Sequence, residues 1–221
     1  MCELLGMSAN VPTDICFSFS GLLERGGNTG PHKDGWGITF YEGKGCRTFK
    51  DSEPSCTSEI AKLVKAYPRK SCSVISHIRQ GNRGRVCLEN THPFTRELWG
   101  REITYAHNGQ LSNYQDLKPD FYKPVGNTDS ELAFCWILDE IRKKYPKKPS
   151  DMKPVFRYAA KLAIQLQEKG VIKGFVSVID CHKLGLLTYR VYLRLQNADS
   201  KRERKVIDYF CKHDSKLILS S

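Results

Sequence analysis

Met1-Cys2-Glu3-Leu4-Leu5-Gly6-Met7 opens the chain, and the cysteine at position 2 decides how the rest is read. Removal of Met1 would leave a thiol and a free α-amino group on one residue. A nucleophile normally needs a separate base to take its proton. Here the amine, with an ordinary pKa of about 7.7–8.0, is already suited to general-base work at neutral pH. A thiol of pKa about 8.5 is only slightly ionised at pH 7, so a base beside it matters. With Met1 attached the amine is acylated and that base does not exist. On its own, Cys2 reads equally as a small apolar residue in a first strand, so its meaning depends on the segments downstream.

Those segments supply the context. Glu3 to Met7 reads as a strand that ends in the turn-prone Ser8-Ala9-Asn10-Val11-Pro12, with a helix from Thr13 or Asp14. Arg25 to Gly35, with four glycines and a proline, is a loop. Trp36 to Tyr41 has strand composition, and Glu42-Gly43-Lys44-Gly45 suits a hairpin turn. A short helix over Ile60–Tyr67 precedes a buried strand, Ser73 to Ile78. Another strand over 103–106 ends in His107-Asn108-Gly109. Apolar residues recur at helical spacing from Asp129 to Tyr145 and again from Met152 to Lys169, which stops at Gly170. Strands first and helices later indicate an α+β fold.

Composition narrows the classes. The chain has 221 residues, 40% hydrophobic and 27% charged, enough for one large globular domain. No apolar run approaches the roughly 20 residues that span a bilayer, and the start lacks a secretory pattern, so no membrane role is expected. Nine cysteines without CxxC pairs or a Cys/His cadence argue against structural zinc and for reduced thiols in the cytoplasm. The net charge of +11 raises nucleic acid as a partner. Yet Arg142-Lys143-Lys144 with Lys147-Lys148, and Lys201-Arg202-Glu203-Arg204-Lys205, have no interleaved aromatics for base stacking. A solvated basic face is the simpler account.

Chemistry-bearing residues then fall into a pattern. Asn108-Gly109 is a common turn dipeptide, but after a strand it also offers a side-chain amide and a backbone N–H to a developing oxyanion. Arg79, just past a buried strand, suits a carboxylate, the alternative being a surface salt bridge. Asp129 opens a helix, where capping is the plain reading and an ammonium partner the functional one.

Taken together, Met1–Gly6, Asp34-Gly35-Trp36-Gly37, His77-Ile78-Arg79, Asn90-Thr91-His92-Pro93-Phe94, His107-Asn108-Gly109 and Thr128-Asp129-Ser130-Glu131 resemble the class II, N-terminal-nucleophile glutamine amidotransferases, and most closely their compact members. The six segments stand in family order across roughly the first 170 residues. The resemblance implies a four-layer αββα sandwich with the two helices of 129–169 in one outer layer. It implies Cys2 as nucleophile and its α-amine as base, with Asn108 and Gly109 as the oxyanion hole. Arg79 would bind the substrate α-carboxylate and Asp129 its α-ammonium, and Thr91 and His92 would line the pocket. Asp34-Gly35-Trp36-Gly37 reads as strand packing beside the nucleophile. No metal or organic cofactor is needed.

The expected reaction is hydrolysis of the glutamine side-chain amide, with a separate synthase as a conceivable recipient of the ammonia. Two alternatives stand beside it: hydrolysis of a small γ-glutamyl compound, and a catalytically silent basic protein that binds nucleic acid or a partner. Residues 2–170 form the family-like part. Residues 171–221 read as an atypical tail that carries 10 Lys+Arg against 5 Asp+Glu, where the first 170 carry 25 against 19. That jump suggests a frame-shifted replacement of the last strands. A divergent native ending is the alternative, since Phe175 to Ile179 and Leu186 to Leu195 have strand composition.

Overall fold

The computed structural model describes residues 2–67, 69–81, 84–168, 172–180 and 186–189. In chain order the elements are β1 (Glu3–Asp14), α1 (Cys16–Arg25), β2 (Trp36–Glu42), β3 (Gly45–Asp51), α2 (Glu59–Ala66), β4 (Lys70–Ile78), β5 (Phe94–Glu97), β6 (Glu102–Leu111), α3 (Asp129–Lys144), α4 (Lys153–Glu168), β7 (Ile172–Asp180) and β8 (Leu186–Tyr189). They form two four-stranded sheets, in the orders β1-β4-β2-β3 and β5-β6-β7-β8, with every neighbouring pair antiparallel.

Strand alternation explains how these sheets are layered, because successive side chains leave opposite faces. Trp36, Ile38 and Phe40 of β2, with Val74 and Ile78 of β4, pack against Phe19, Leu22 and Leu23 of α1 and Ala61 and Val64 of α2. Ile103, Tyr105 and Leu111 of β6 pack against Phe134 and Leu138 of α3 and Leu162 of α4. The residues between them in sequence face the other way: Leu4, Tyr41, Cys46, Ile75 and Ala106 meet in a third cluster between the sheets. The order helix, sheet, sheet, helix is the αββα sandwich that the sequence implies. Helices α3 and α4 share an outer layer, as expected.

Several boundaries differ from those read in the sequence. Strand β1 runs past the supposed turn to Asp14, with a register shift between Ser8 and Thr13. Pro12 is tolerated because β1 is an edge strand, where a missing N–H costs no ladder bond. Helix α1 therefore starts later, at Cys16, whose N–H bonds the Asp14 carboxylate at 2.7 Å. His107-Asn108-Gly109 is not a turn at all: it lies inside β6, opposite Val176, Phe175 and Gly174 of β7. Long-range pairing there overrides a strong local turn signal. Strand β5 has no counterpart in the sequence reading. Cys181, His182, the Lys201–Lys205 run and the last residues fall outside the described residues.

Candidate active site

The parity that builds the interlayer cluster also sets the direction of Cys2. Leu5 and Met7 pack toward α1, so Leu4, and by the same alternation Cys2, face the gap between the sheets. The Cys2 thiol lies at the turn after β4: Gln80 N–H donates to Sγ at 3.3 Å, and Sγ lies 3.5 Å from the Gln80 carbonyl. Burial pushes the thiol pKa up, while the Gln80 N–H and Arg79 pull the other way. A thiol held protonated at neutral pH needs a base within reach.

Arg79 is 3% exposed, which removes the surface salt-bridge reading. Two of its donors reach the main-chain oxygens of Asp34 and Gly84, each at 3.3 Å. Asp34 does more than pack. Its carboxylate accepts the Gly81 N–H at 2.6 Å, and its own N–H donates to the Arg79 carbonyl at 3.2 Å. The turn Arg79-Gln80-Gly81, which touches Cys2, is thus pinned by Asp34. A side chain at Gly81 would displace the Arg79 guanidinium, since a Cβ would lie 2.8 Å from its Nη2.

Thr91 and His92 are also buried. Thr91 Oγ1 donates to the Cys87 carbonyl at 2.9 Å. The His92 ring lies between those of His77 and Phe94, tilted by 34° and 53° to them, with centroids 4.2 and 4.4 Å away. Gly37 makes this possible: it sits opposite His77 in the sheet, and a Cβ on it would lie 2.2 Å from the His92 carbonyl oxygen. Gly37→Ala is therefore expected to push the His92-Pro93 segment away from β4. We expect a loss of about 1–3 kcal/mol in stability, as for other overpacked sites, together with loss of activity. Urea unfolding and a turnover assay on the same preparation check both.

The oxyanion candidates sit on a half-open strand edge. Strand β5 pairs only with Glu102–Tyr105 of β6, whereas β7 runs beside Ile103–Leu111 without a register shift. N–H and C=O of alternate residues point to the same side of a strand. On the side away from β7, Leu111 N–H is taken by Asp129 Oδ2 at 3.0 Å, and the His107 carbonyl accepts the His77 Nε2–H at 3.1 Å. Gly109 N–H shares that side and lies between them in sequence. The Asn108 side chain follows the parity of Ala106 into the gap between the sheets that Cys2 also faces. Its Oδ1 is buried and has no hydrogen-bond partner in the structure.

Capping of α3 falls to Thr128, whose hydroxyl accepts the Glu131 N–H at 3.2 Å. Asp129 is thereby able to turn toward β6. Its Oδ1 accepts the Ser130 N–H at 2.7 Å and the Ser130 hydroxyl at 3.3 Å, and that hydroxyl in turn accepts His107 Nδ1–H at 2.9 Å. Burial holds three imidazoles neutral. His77 is pushed down to about 3, His107 to about 4 against the opposing pull of Asp129, and His92 well below its ordinary value.

Of the residues expected from the sequence, Cys2 and Arg79 lie at the end of β4, Asn108 and Gly109 on β6, Asp129 against β6, and Thr91 and His92 in the segment before β5. His77, bonded to the His107 carbonyl, links the two sheets here, and the Gly109 N–H is oriented by ladder parity alone. Sequence reading missed Asp34, His77 and Ser130. All three stood inside the motif segments, but their roles depend on pairing across the chain. A cleft of about 450 Å³ opens elsewhere, between the β3 and β5 edges, and none of the expected site residues lines it. Among the described residues no group of three or more His, Cys, Asp or Glu is arranged to hold a metal ion, and no helix is long and apolar enough to cross a membrane.

The sequence profile of "Glutamine amidotransferases class-II" matches residues 1–181. YafJ of Escherichia coli (strain K12) is 68% identical over 177 residues, which cover 80% of this chain and 69% of YafJ. A crystal structure of a predicted glutamine amidotransferase from Pseudomonas aeruginosa is 42% identical with a TM-score of 0.65, over 86% of this chain and 72% of that one. The glutamine phosphoribosylpyrophosphate amidotransferase of Bacillus subtilis has the same fold at 16% identity and a TM-score of 0.57. That likeness covers 86% of this chain and 37% of the other.

Proposed function

The chain belongs to the class-II glutamine amidotransferases, and from that premise we propose that it hydrolyses the side-chain amide of glutamine through a thioester on Cys2. The observation that carries this reading is the position of Cys2. It faces the gap between the sheets, against the turn that holds buried Arg79, with Asn108 directed into the same gap.

In the proposed reaction the Cys2 α-amine, freed by loss of Met1, takes the thiol proton as sulfur attacks the amide carbon. The oxygen of the tetrahedral intermediate is held by the Asn108 side-chain amide and the Gly109 N–H. The C–N bond breaks, the amine returns the proton to nitrogen, and ammonia leaves. Water then attacks the thioester, gives its proton to the amine and releases glutamate and the thiol. Arg79 binds the α-carboxylate and Asp129 the α-ammonium, with Thr91 and His92 in the pocket wall. Raising the thiol pKa by burial makes the adjacent amine necessary. The chemistry calls for no cofactor, and its reduced nucleophile fits the cytoplasm.

The recipient of the ammonia is proposed to be a separate synthase. For the boundary, residues 2–170 are proposed as the family-like part and 171–221 as the atypical tail. Because the class-II profile runs on to residue 181 and 172–180 pair with β6 as β7, the proposed frame shift falls after β7. Translating the other frames beyond β7 tests this: family-like strands in another frame support it, and their absence overturns it.

The reaction is tested by following ammonia and glutamate from the purified chain lacking Met1, with free L-glutamine and a γ-glutamyl dipeptide as separate substrates. Equal release of both products from glutamine is expected, with kcat/KM at least about tenfold above the dipeptide. The reverse preference would assign the site to γ-glutamyl compounds.

A further inference from the structure

His77 is fully buried on β4 and faces away from α1 and α2, toward the second sheet. Its Nε2–H donates to the His107 carbonyl on the edge of β6 that β5 leaves unpaired. The peptide that begins at this carbonyl leads into Asn108. On the same edge the next backbone pair belongs to Gly109, and the one after, Leu111 N–H, is taken by Asp129. Two side chains from different elements therefore supply the bonds that a longer β5 would have made, and they bracket the Gly109 N–H.

We propose that His77 is a positioning residue for the oxyanion hole, its Nε2–H fixing the His107–Asn108 peptide so that the Asn108 amide and the Gly109 N–H are held ready for the developing charge. This rests on the assignment of Asn108 and Gly109 to the oxyanion hole. The Asn108 N–H of this peptide is on the side of β7, so without His77 the peptide would be held from that side alone, leaving its tilt, and with it the direction of the Asn108 side chain, less closely fixed. The ring of His92, tilted by 34° against His77 with centroids 4.2 Å apart, fills the space beside the imidazole and limits its rotation away from the bond. Imidazole is suited to the task because it spans the distance between sheets while burying a flat apolar face. Leu4 and Gly37, its neighbours in the sheet, offer no competing side-chain acceptor.

The test compares His77→Phe, which keeps a ring and loses the donor, with His77→Gln, which keeps a donor at similar reach, each alone and combined with Asn108→Ala. Removing one oxyanion donor typically costs about 10²–10³ in rate. His77→Phe acts one step away, so kcat for glutamine is expected to fall roughly 10–100-fold with KM changed less than about threefold. His77→Gln should recover most of it, and His77→Phe should add little to Asn108→Ala. A rise in KM with unchanged kcat would overturn the proposal, as would equal losses in Phe and Gln or fully multiplicative losses in the double variant. Should His77→Phe fail to fold, His77→Asn, too short to reach the carbonyl, replaces it. If Asn108→Ala alone leaves kcat intact, the oxyanion reading itself has failed. If Asn108→Ala is crippled and His77→Phe is not, only the positioning role has.

Discussion

Replacing Cys2 with alanine is expected to abolish glutamine hydrolysis, a loss on the order of 10⁴–10⁶ in kcat, as when other nucleophiles are removed. The fold should be unaffected, since Cys2 precedes β1 and contributes to none of the three apolar clusters. Cys2→Ser should be nearly as inactive, because an alcohol is far harder to deprotonate than a thiol. A short peptide placed ahead of position 2 that resists processing should be equally inactive, although its thiol is intact. That third variant separates this account from one with a base elsewhere. The thiol is partly buried, and Gln80 N–H is its described donor. Turnover by the extended protein would show that the α-amine is not the base. Unchanged turnover in Cys2→Ala would end the nucleophile assignment.

The second large effect is acid lability. His77, His92 and His107 are held neutral by burial, His77 down to about pH 3 and His107 to about pH 4. The three histidines lie close enough for protonation of His107 to oppose that of His77 and His92, and of His77 that of His92. Arg79 adds its positive charge against His77 and His92, while Asp129 favours the charged form of His107. In the unfolded chain a histidine takes its proton near pH 6.5. Below that pH the unfolded state binds more protons than the folded one, so stability must fall as pH falls. The loss continues to about pH 4 for His107 and about pH 3 for His77. Each group costs roughly 1.4 kcal/mol per pH unit in this window, or about 2 kcal/mol by pH 5. His77 and His107 together reach roughly 4 kcal/mol, a large share of the stability of an ordinary domain at about 5–15 kcal/mol, and His92 acts in the same direction. Urea midpoints between pH 7.5 and 4.5 should therefore drop steeply below pH 6.5, and His92→Phe should make the slope shallower by about one proton. A flat profile from pH 7 to pH 5 would contradict the three buried neutral histidines.

How much of this was legible in the sequence depends on the range of the interaction. Hairpin β2–β3 is local, with its turn at Gly43, φ +66°, and was readable from Glu42-Gly43-Lys44-Gly45. Helix α3 was readable from its apolar spacing, and Thr128 caps it by a bond three residues long. The strand character of His107-Asn108-Gly109 was not, because β7 lies more than 60 positions away in the chain and contributes the pairing. Arg79 was picked out by chemistry, yet what pins it, Asp34, was assigned to packing: the bond from Gly81 N–H spans 47 positions. His77 stood in a motif without a role, since its partner is a main-chain carbonyl, and a carbonyl leaves no trace in residue identity. Side-chain chemistry reads well from sequence, whereas the backbone groups those side chains serve appear only once strands are paired.

The central claim is that Cys2, as the N-terminal residue, attacks the side-chain amide carbon of a bound glutamine. Its most direct test is the intact mass of the purified protein after reaction with a γ-electrophilic glutamine analogue, with Cys2→Ala alongside. The account predicts one adduct on a chain that lacks Met1, mapped to residue 2, competed by free glutamine and absent from the variant. An adduct that persists in Cys2→Ala, or none on a processed and folded chain, would contradict it.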